Sequence, residues 1–89
     1  MIRSKLETYL DVLKVLINNG PSKISRIAQI TNLNSNVLTE YLDFLIKQSS
    51  VEERTFGSEN TDFAITKHGI SLLKYFGQLK ELSISEKEK

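Results

Sequence analysis

A chain of 89 residues with 39% hydrophobic content and a net charge of +1 is enough for one folded domain and too short for two. It contains no cysteine, which excludes disulfides and thiolate metal sites and leaves a partner subunit as the remaining support for so small a core. No apolar run approaches the roughly 20 residues of a membrane span and no secretory signal is visible, so a cytoplasmic protein is expected.

The first three residues read as a frayed lead-in. Ser4-Lys5-Leu6-Glu7 has the spacing of a capping box, with Ser4 as N-cap and Glu7 reaching back from the third helical position. The pattern predicts a helix from there to about Asn19. Its main apolar face is Leu6, Tyr9, Leu10, Leu13, Leu16 and Ile17, and Val12 and Val15 widen that face enough to need cover from more than one side. Asn18-Asn19-Gly20-Pro21 ends it: Gly20 is free to take a left-handed conformation and Pro21 cannot continue the helix.

Ser22 then offers a cap for a second helix from Lys23 to about Thr31, with Ile24, Ile27, Ala28 and Ile30 facing inward. Asn32-Leu33-Asn34 is a tight polar turn pinned by the apolar Leu33, and Asn34 is a good N-cap for a third helix from Ser35 to about Gln48. Val37, Leu38, Tyr41, Leu42 and Leu45 share one broad face of that helix, flanked by Phe44 and Ile46; Asn36, Thr39, Glu40, Asp43 and Lys47 lie opposite. Two helices joined by so short a turn cannot lie side by side along their length, which is the helix-turn-helix arrangement.

After Lys47 the period changes. Residues 51–56 and 62–66 are short β-like segments around the turn-rich stretch Gly57-Ser58-Glu59-Asn60-Thr61, so a β-hairpin is expected, with Phe63 and Ile65 on its core side. Thr66-Lys67-His68-Gly69 opens the last helix, Thr66 being its N-cap. Its first part packs on the domain, while Leu72, Phe76, Leu79 and Leu82 make a narrow stripe suited to pairing with another helix. The expected fold class is mainly α with a small β-hairpin. Residues 1–84 form one domain that includes a dimerisation helix at about 66–84, and 85–89 form a charged, disordered tail.

The near-zero net charge hides an uneven distribution. Residues 1–33 carry five basic and two acidic groups (+3), residues 34–66 two basic and six acidic (−4), and residues 67–89 five basic and three acidic (+2). Catalysis finds no foothold. His68 is the sole histidine and has no cysteine or second histidine to complete a metal set. Glu40 and Asp43 share a helix face but nothing implies a cleft around them, and there is no nucleophile elbow or phosphate-cradling glycine loop. No enzyme activity, metal or cofactor is expected.

Three stretches carry a family likeness: residues 3–13 (Arg3-Ser4-Lys5-Leu6-Glu7-Thr8-Tyr9-Leu10-Asp11-Val12-Leu13), Ile30-Thr31-Asn32-Leu33-Asn34, and Phe63-Ala64-Ile65-Thr66-Lys67-His68-Gly69. With them, over roughly residues 3–82, the chain resembles small archaeal winged-helix DNA-binding proteins, which are transcriptional regulators or chromatin-associated dimers. The last stretch is similar to the family's aromatic-x-Ile-Thr-x-x-Gly. The resemblance implies a winged helix-turn-helix with an extended C-terminal helix, and binding of double-stranded DNA by a homodimer joined through that helix at Leu72, Phe76, Leu79 and Leu82. The chain departs from the family at three places. Ser49 and Ser50 stand where the family has a glycine and then a buried leucine. Asn36, Glu40 and Asp43 stand on a recognition face that is usually basic. The hairpin carries Glu52, Glu53, Glu59 and Asp62 beside Arg54.

In a DNA-bound helix-turn-helix the N-terminal part of the second helix meets base edges. That assigns base reading to Asn34, Ser35, Asn36, Thr39 and Glu40, and phosphate binding to Lys5, Lys23, Arg26, Lys47 and Arg54. The alternative reading is a protein-interaction module whose acidic recognition face and wing bind a basic partner.

Overall fold

A computed structural model describes the backbone of residues 4–57 and 60–88, and the side chains of these up to residue 77. Its elements are α1 (Lys5–Asn19), α2 (Ile24–Thr31), α3 (Ser35–Lys47), β1 (Val51–Phe56), β2 (Asn60–Ile65) and α4 (Lys67–Glu88). The expected lead-in at 1–3 lies outside the described residues, as do the side chains of the expected tail at 85–89 and of Leu79 and Leu82.

Helix α1 starts at the capping box. The Glu7 amide donates to Ser4 Oγ at 3.1 Å, and the Ser4 hydroxyl donates in turn to the Glu7 carboxylate at 3.3 Å. Gly20 ends the helix at φ 75, its amide bonded to the Leu16 carbonyl. The buried stripe is rotated from the one expected: Val12 and Val15 are enclosed with Leu10, Leu13 and Leu16, while Leu6 and Ile17 are more than two-fifths exposed. Helix α1 is the centre of the domain, contacted by α2, β2 and α4, so the face that matters is the one surrounded rather than the longest apolar line.

Ser22 is not the cap of α2. Its hydroxyl donates to the Gly20 carbonyl at 2.9 Å, and its backbone pairs with β2, Ser22 N–H to the Phe63 carbonyl at 3.0 Å and Phe63 N–H to the Ser22 carbonyl at 2.8 Å. The N-cap is Lys23, whose side chain makes no capping bond. A serine beside a helix start satisfies the cap preference from sequence, and a long-range strand pairing took it instead. Ile27 is fully buried, whereas Ile30, expected inward, is 47% exposed. Asn32 turns the chain in the left-handed region at φ 59, and the Leu33 amide reaches back to the Ala28 carbonyl at 3.1 Å, so Leu33 drops onto the core as the pin of the turn. Asn34 caps α3 by accepting from the Asn36 amide at 2.8 Å.

Strands β1 and β2 pair antiparallel from Val51↔Ile65 to Phe56↔Asn60, two residues further toward the tip than expected for the second strand. Phe63 and Ile65 pack against the core, and Ala64 on the other face is buried too. The core joins Val12, Leu13, Val15 and Leu16 of α1 to Ile27 of α2, Leu38, Leu42 and Leu45 of α3, and Val51 of β1.

The Ser49-Ser50 turn closes in an unusual way. Ser49 sits at φ 63, a region that disfavours any residue with a Cβ, and the fully buried Ser50 Oγ finds no hydrogen-bond partner among the described residues. The turn is stitched through its backbone. Thr66 N–H donates to the Ser50 carbonyl at 3.0 Å, and the Thr66 hydroxyl donates to the Ser49 carbonyl at 2.6 Å while accepting from the Gly69 amide at 3.1 Å. Thr66 is thus the N-cap of α4 and its tie to the turn. Glycine at position 49 is expected to raise stability by roughly 0.5–1 kcal/mol, the relief of left-handed strain less the added freedom of the unfolded chain. Ser50→Ala is expected to add up to about 1 kcal/mol by removing an orphan hydroxyl. Urea denaturation of both variants measures these gains.

Candidate nucleic-acid interface

Helices α2 and α3 with the β1–β2 hairpin form a helix-turn-helix followed by a wing. The base-reading candidates Asn34, Ser35, Asn36, Thr39 and Glu40 are all exposed on the first turns of α3. They are not equally available. The Asn34 carboxamide oxygen is occupied by the cap, and the Thr39 hydroxyl donates to the Ser35 carbonyl at 2.8 Å. The side chains of Asn36 and Glu40 carry no bond among the described residues, which leaves them able to address a partner.

The cation candidates divide into separate groups. Lys23 and Arg26 are exposed at the start of α2, the first helix of the helix-turn-helix. Lys23 Nζ donates to Asn60 Oδ1 at 3.3 Å, tying the start of α2 to the wing. Lys5 instead lines a shallow depression with Tyr9, Val37, Glu40 and Tyr41, where α1 meets the outer side of α3. Lys47 is exposed in the last turn of α3, at the far end of that helix from Asn36. Arg54 is engaged within the wing: its Nε and Nη2 both donate to Glu52 Oε1, at 3.2 and 2.9 Å. Residues two apart on a strand share a face, so both side chains lie on one side of β1 within reach of each other. Both partners are about half exposed, and the pair adds little to stability. Its consequence is that the wing's arginine is already partnered.

An aromatic cluster sets α1 against α3. The Tyr9 ring stacks on Phe44 and meets Tyr41 edge-on, both at centroid distances of 4.7 Å. Leu6, Tyr9, Leu10 and Phe44 also line an open apolar groove with Leu72 and Phe76 of α4. His68 is exposed, and among the described residues no cluster of His, Cys, Asp or Glu could hold a metal ion. No helix among them is long and apolar enough to cross a membrane.

Sequence reasoning missed two residues of this surface. Phe56 is 56% exposed at the outer end of the wing, and Asn60 stands opposite it. The aromatic in β1 is visible in the sequence, but its partner depends on the hairpin register.

The architecture defines a winged helix-turn-helix. The chain belongs to the winged helix-turn-helix family, whose profile matches residues 2–84. Among solved structures it is similar to Sso10a-2, a DNA-binding protein from Sulfolobus solfataricus, with 25% identity over 97% of this chain and 90% of that one and a TM-score of 0.74. A MarR family protein from Bacillus stearothermophilus matches with a TM-score of 0.81 at 9% identity, over 97% of this chain and 59% of that one. RV1404 from Mycobacterium tuberculosis matches with a TM-score of 0.80 at 16% identity, over 88% and 54%. The chain spans little more than half the length of these last two proteins. A comparison with curated proteins finds no match.

Proposed function

We propose that this protein is a cytoplasmic, double-stranded DNA-binding transcriptional regulator or chromatin-associated factor of the archaeal kind, working as a homodimer without enzymatic activity. The observation that carries the reading is the unbonded pair Asn36 and Glu40 on the first turns of α3, with Lys23 and Arg26 exposed at the start of α2. Asn36 can pair bidentately with adenine and Glu40 can accept from a cytosine amino group. Neither attracts phosphate, so affinity falls to the cations and discrimination to these two. The likeness to Sso10a-2, described as DNA-binding, supports the same reading over nearly the whole chain.

Arg26→Ala is expected to weaken binding to all duplexes about equally and to flatten the salt slope by about 0.9 for each protomer engaged. Asn36→Ala is expected to cost roughly 1–3 kcal/mol on a preferred site and little on random DNA. Titrations at several salt concentrations separate the two behaviours, and a wild-type chain that forms no salt-sensitive complex overturns the reading. The acidic-face alternative, a module for a basic protein partner, draws support from the Arg54–Glu52 pair, which leaves the wing without a free arginine. It takes over if neither substitution alters DNA binding.

The dimer is proposed to form through α4. Leu72 and Phe76 face the open groove with Leu6 and Tyr9 instead of closing it, and a second copy would cover this apolar surface at about 25 cal/mol per Å². Phe76→Asp is expected to give a monomer by light scattering; a wild-type chain that is itself monomeric at high micromolar concentration removes the proposal.

A further inference from the structure

We propose that Val37 is a specificity residue of the DNA interface, whose exposed methyl groups read the C5-methyl of a thymine one or two base pairs from the cytosine addressed by Glu40. The inference rests on the DNA-binding reading and adds a base to the site recognised. The period of α3 puts Val37 on the core face with Leu38, yet Val37 is 41% exposed while Leu38 is fully buried. It stands in the first turn of α3, between Asn36 and Glu40, whose side chains carry no bond among the described residues. An aliphatic group is thus presented to a partner in the middle of the candidate base-reading residues.

Val37 and Glu40 are three apart on one helix, so their Cβ atoms lie about 5–6 Å from each other. Base pairs follow one another at about 3.4 Å, and the two side chains therefore meet neighbouring or next-neighbouring pairs. Both line the shallow depression between α1 and α3, together with Lys5, Tyr9 and Tyr41. Of these residues Lys5 and Glu40 are charged, with opposite signs, so the surroundings of Val37 carry no net charge. Asp43 lies six residues along α3, about 9 Å further by helix rise. Tyr41, a neighbour of Val37 at four residues' spacing, is met edge-on by the Tyr9 ring at 4.7 Å, which fixes the wall beside Val37. The thymine methyl is the apolar feature of the major groove. An aliphatic side chain pressed on another base edge strips an amino group or carbonyl of water without replacing the bond, which disfavours binding. Against the methyl it gains instead, roughly fourfold in affinity for one buried carbon.

The test uses the full chain and duplexes enriched from a random library, in which each thymine is replaced in turn by deoxyuridine. Uracil keeps the hydrogen-bonding edge of thymine and lacks the methyl. For the wild type, replacement at one thymine of a half-site should cost two- to fourfold in affinity at an unchanged salt slope. That thymine should lie within two base pairs of the cytosine at which Glu40→Gln relaxes the preference. Val37→Ser should bind the thymine duplex as weakly as the wild type binds the uracil duplex, and should not distinguish the two. Val37→Ile should retain the distinction. Val37 is substantially exposed, so both variants should fold, and the wild-type measurement decides even without them. A salt-sensitive wild-type complex that tolerates uracil at every position, or that enriches no preferred site, overturns the methyl contact and leaves DNA binding standing. A uracil effect that persists in Val37→Ser, or that lies remote from the Glu40 cytosine, overturns it as well. Absence of any salt-sensitive complex overturns both readings.

Discussion

Gly69→Ala should cost roughly 3 kcal/mol, the upper part of the range for overpacking, and lower the melting temperature by about 10–20 °C. The usual expectation is the reverse, since glycine to alanine inside a helix ordinarily gains about 1 kcal/mol. The difference lies in what the added Cβ meets. At Gly69 it would fall 2.7 Å from Ile65 Cγ1 and closer still to the Ser50 carbonyl oxygen. The carbonyl cannot swing aside, because it accepts the Thr66 amide, and the neighbouring Ser49 carbonyl accepts the Thr66 hydroxyl. Relief would require α4 to lift from the turn. Gly77, further along the same helix, has nothing within 4 Å of a built Cβ. Gly77→Ala should therefore gain roughly 0.5–1 kcal/mol. Opposite signs from one substitution in one helix, read by thermal denaturation, would be difficult to produce by any mechanism other than close approach; two gains would refute it.

Ile27→Ala should destabilise the domain by roughly 2–5 kcal/mol. Helix α2 has few anchors. It is 8 residues long, its N-cap makes no capping side-chain bond, and Ile27 is its one buried residue, at 0% exposure, with Ile24 and Ala28 only partly covered. So short a helix is not stable on its own and depends on packing. Ile30→Ala, the same change three residues later on an exposed side chain, should fall within about 0.5 kcal/mol of wild type. Urea unfolding of the two variants gives the contrast. Because Lys23 and Arg26 lie on α2, the Ile27 variant should also lose DNA affinity when binding is measured below its unfolding midpoint. Equal effects at 27 and 30 would mean that α2 is not held as described.

The helix boundaries were legible because their signals are local. Ser4 with Glu7, Gly20 before Pro21, and Asn34 each determine their own few residues, and the structure realises each of them. The period of α3 likewise placed Leu38, Leu42 and Leu45 inward, whereas Val37, expected on the same face, is 41% exposed. What escaped the sequence depends on partners far along the chain. Ser22 looks like a cap until Phe63 is known to lie beside it. Leu6 and Ile30 look like core until the neighbouring elements prove not to cover them. In the candidate interface the residue types on α3 were readable. The capture of Arg54 by Glu52 and the meeting of Lys23 with Asn60 were not, since one depends on side-chain geometry and the other on hairpin register. Ser49 and Ser50 stood out as unusual from sequence, and the structure supplies the reason they are tolerated: the turn is held by Thr66 through backbone carbonyls that any residue provides.

The two reciprocal hydrogen bonds between Ser22 and Phe63 have a kinetic consequence. They enclose the whole of α2, α3 and β1, so they can form only after a loop of some forty residues has closed. Closure of a long loop is entropically slow compared with forming helices from neighbouring residues. The three helices can assemble first, and the wing docks onto the start of α2 as a late event. Substitutions at the bridge or at Lys23 and Asn60 would then mainly accelerate unfolding while leaving the folding rate nearly unchanged. The hairpin would thus be among the last elements to fold and the first to let go.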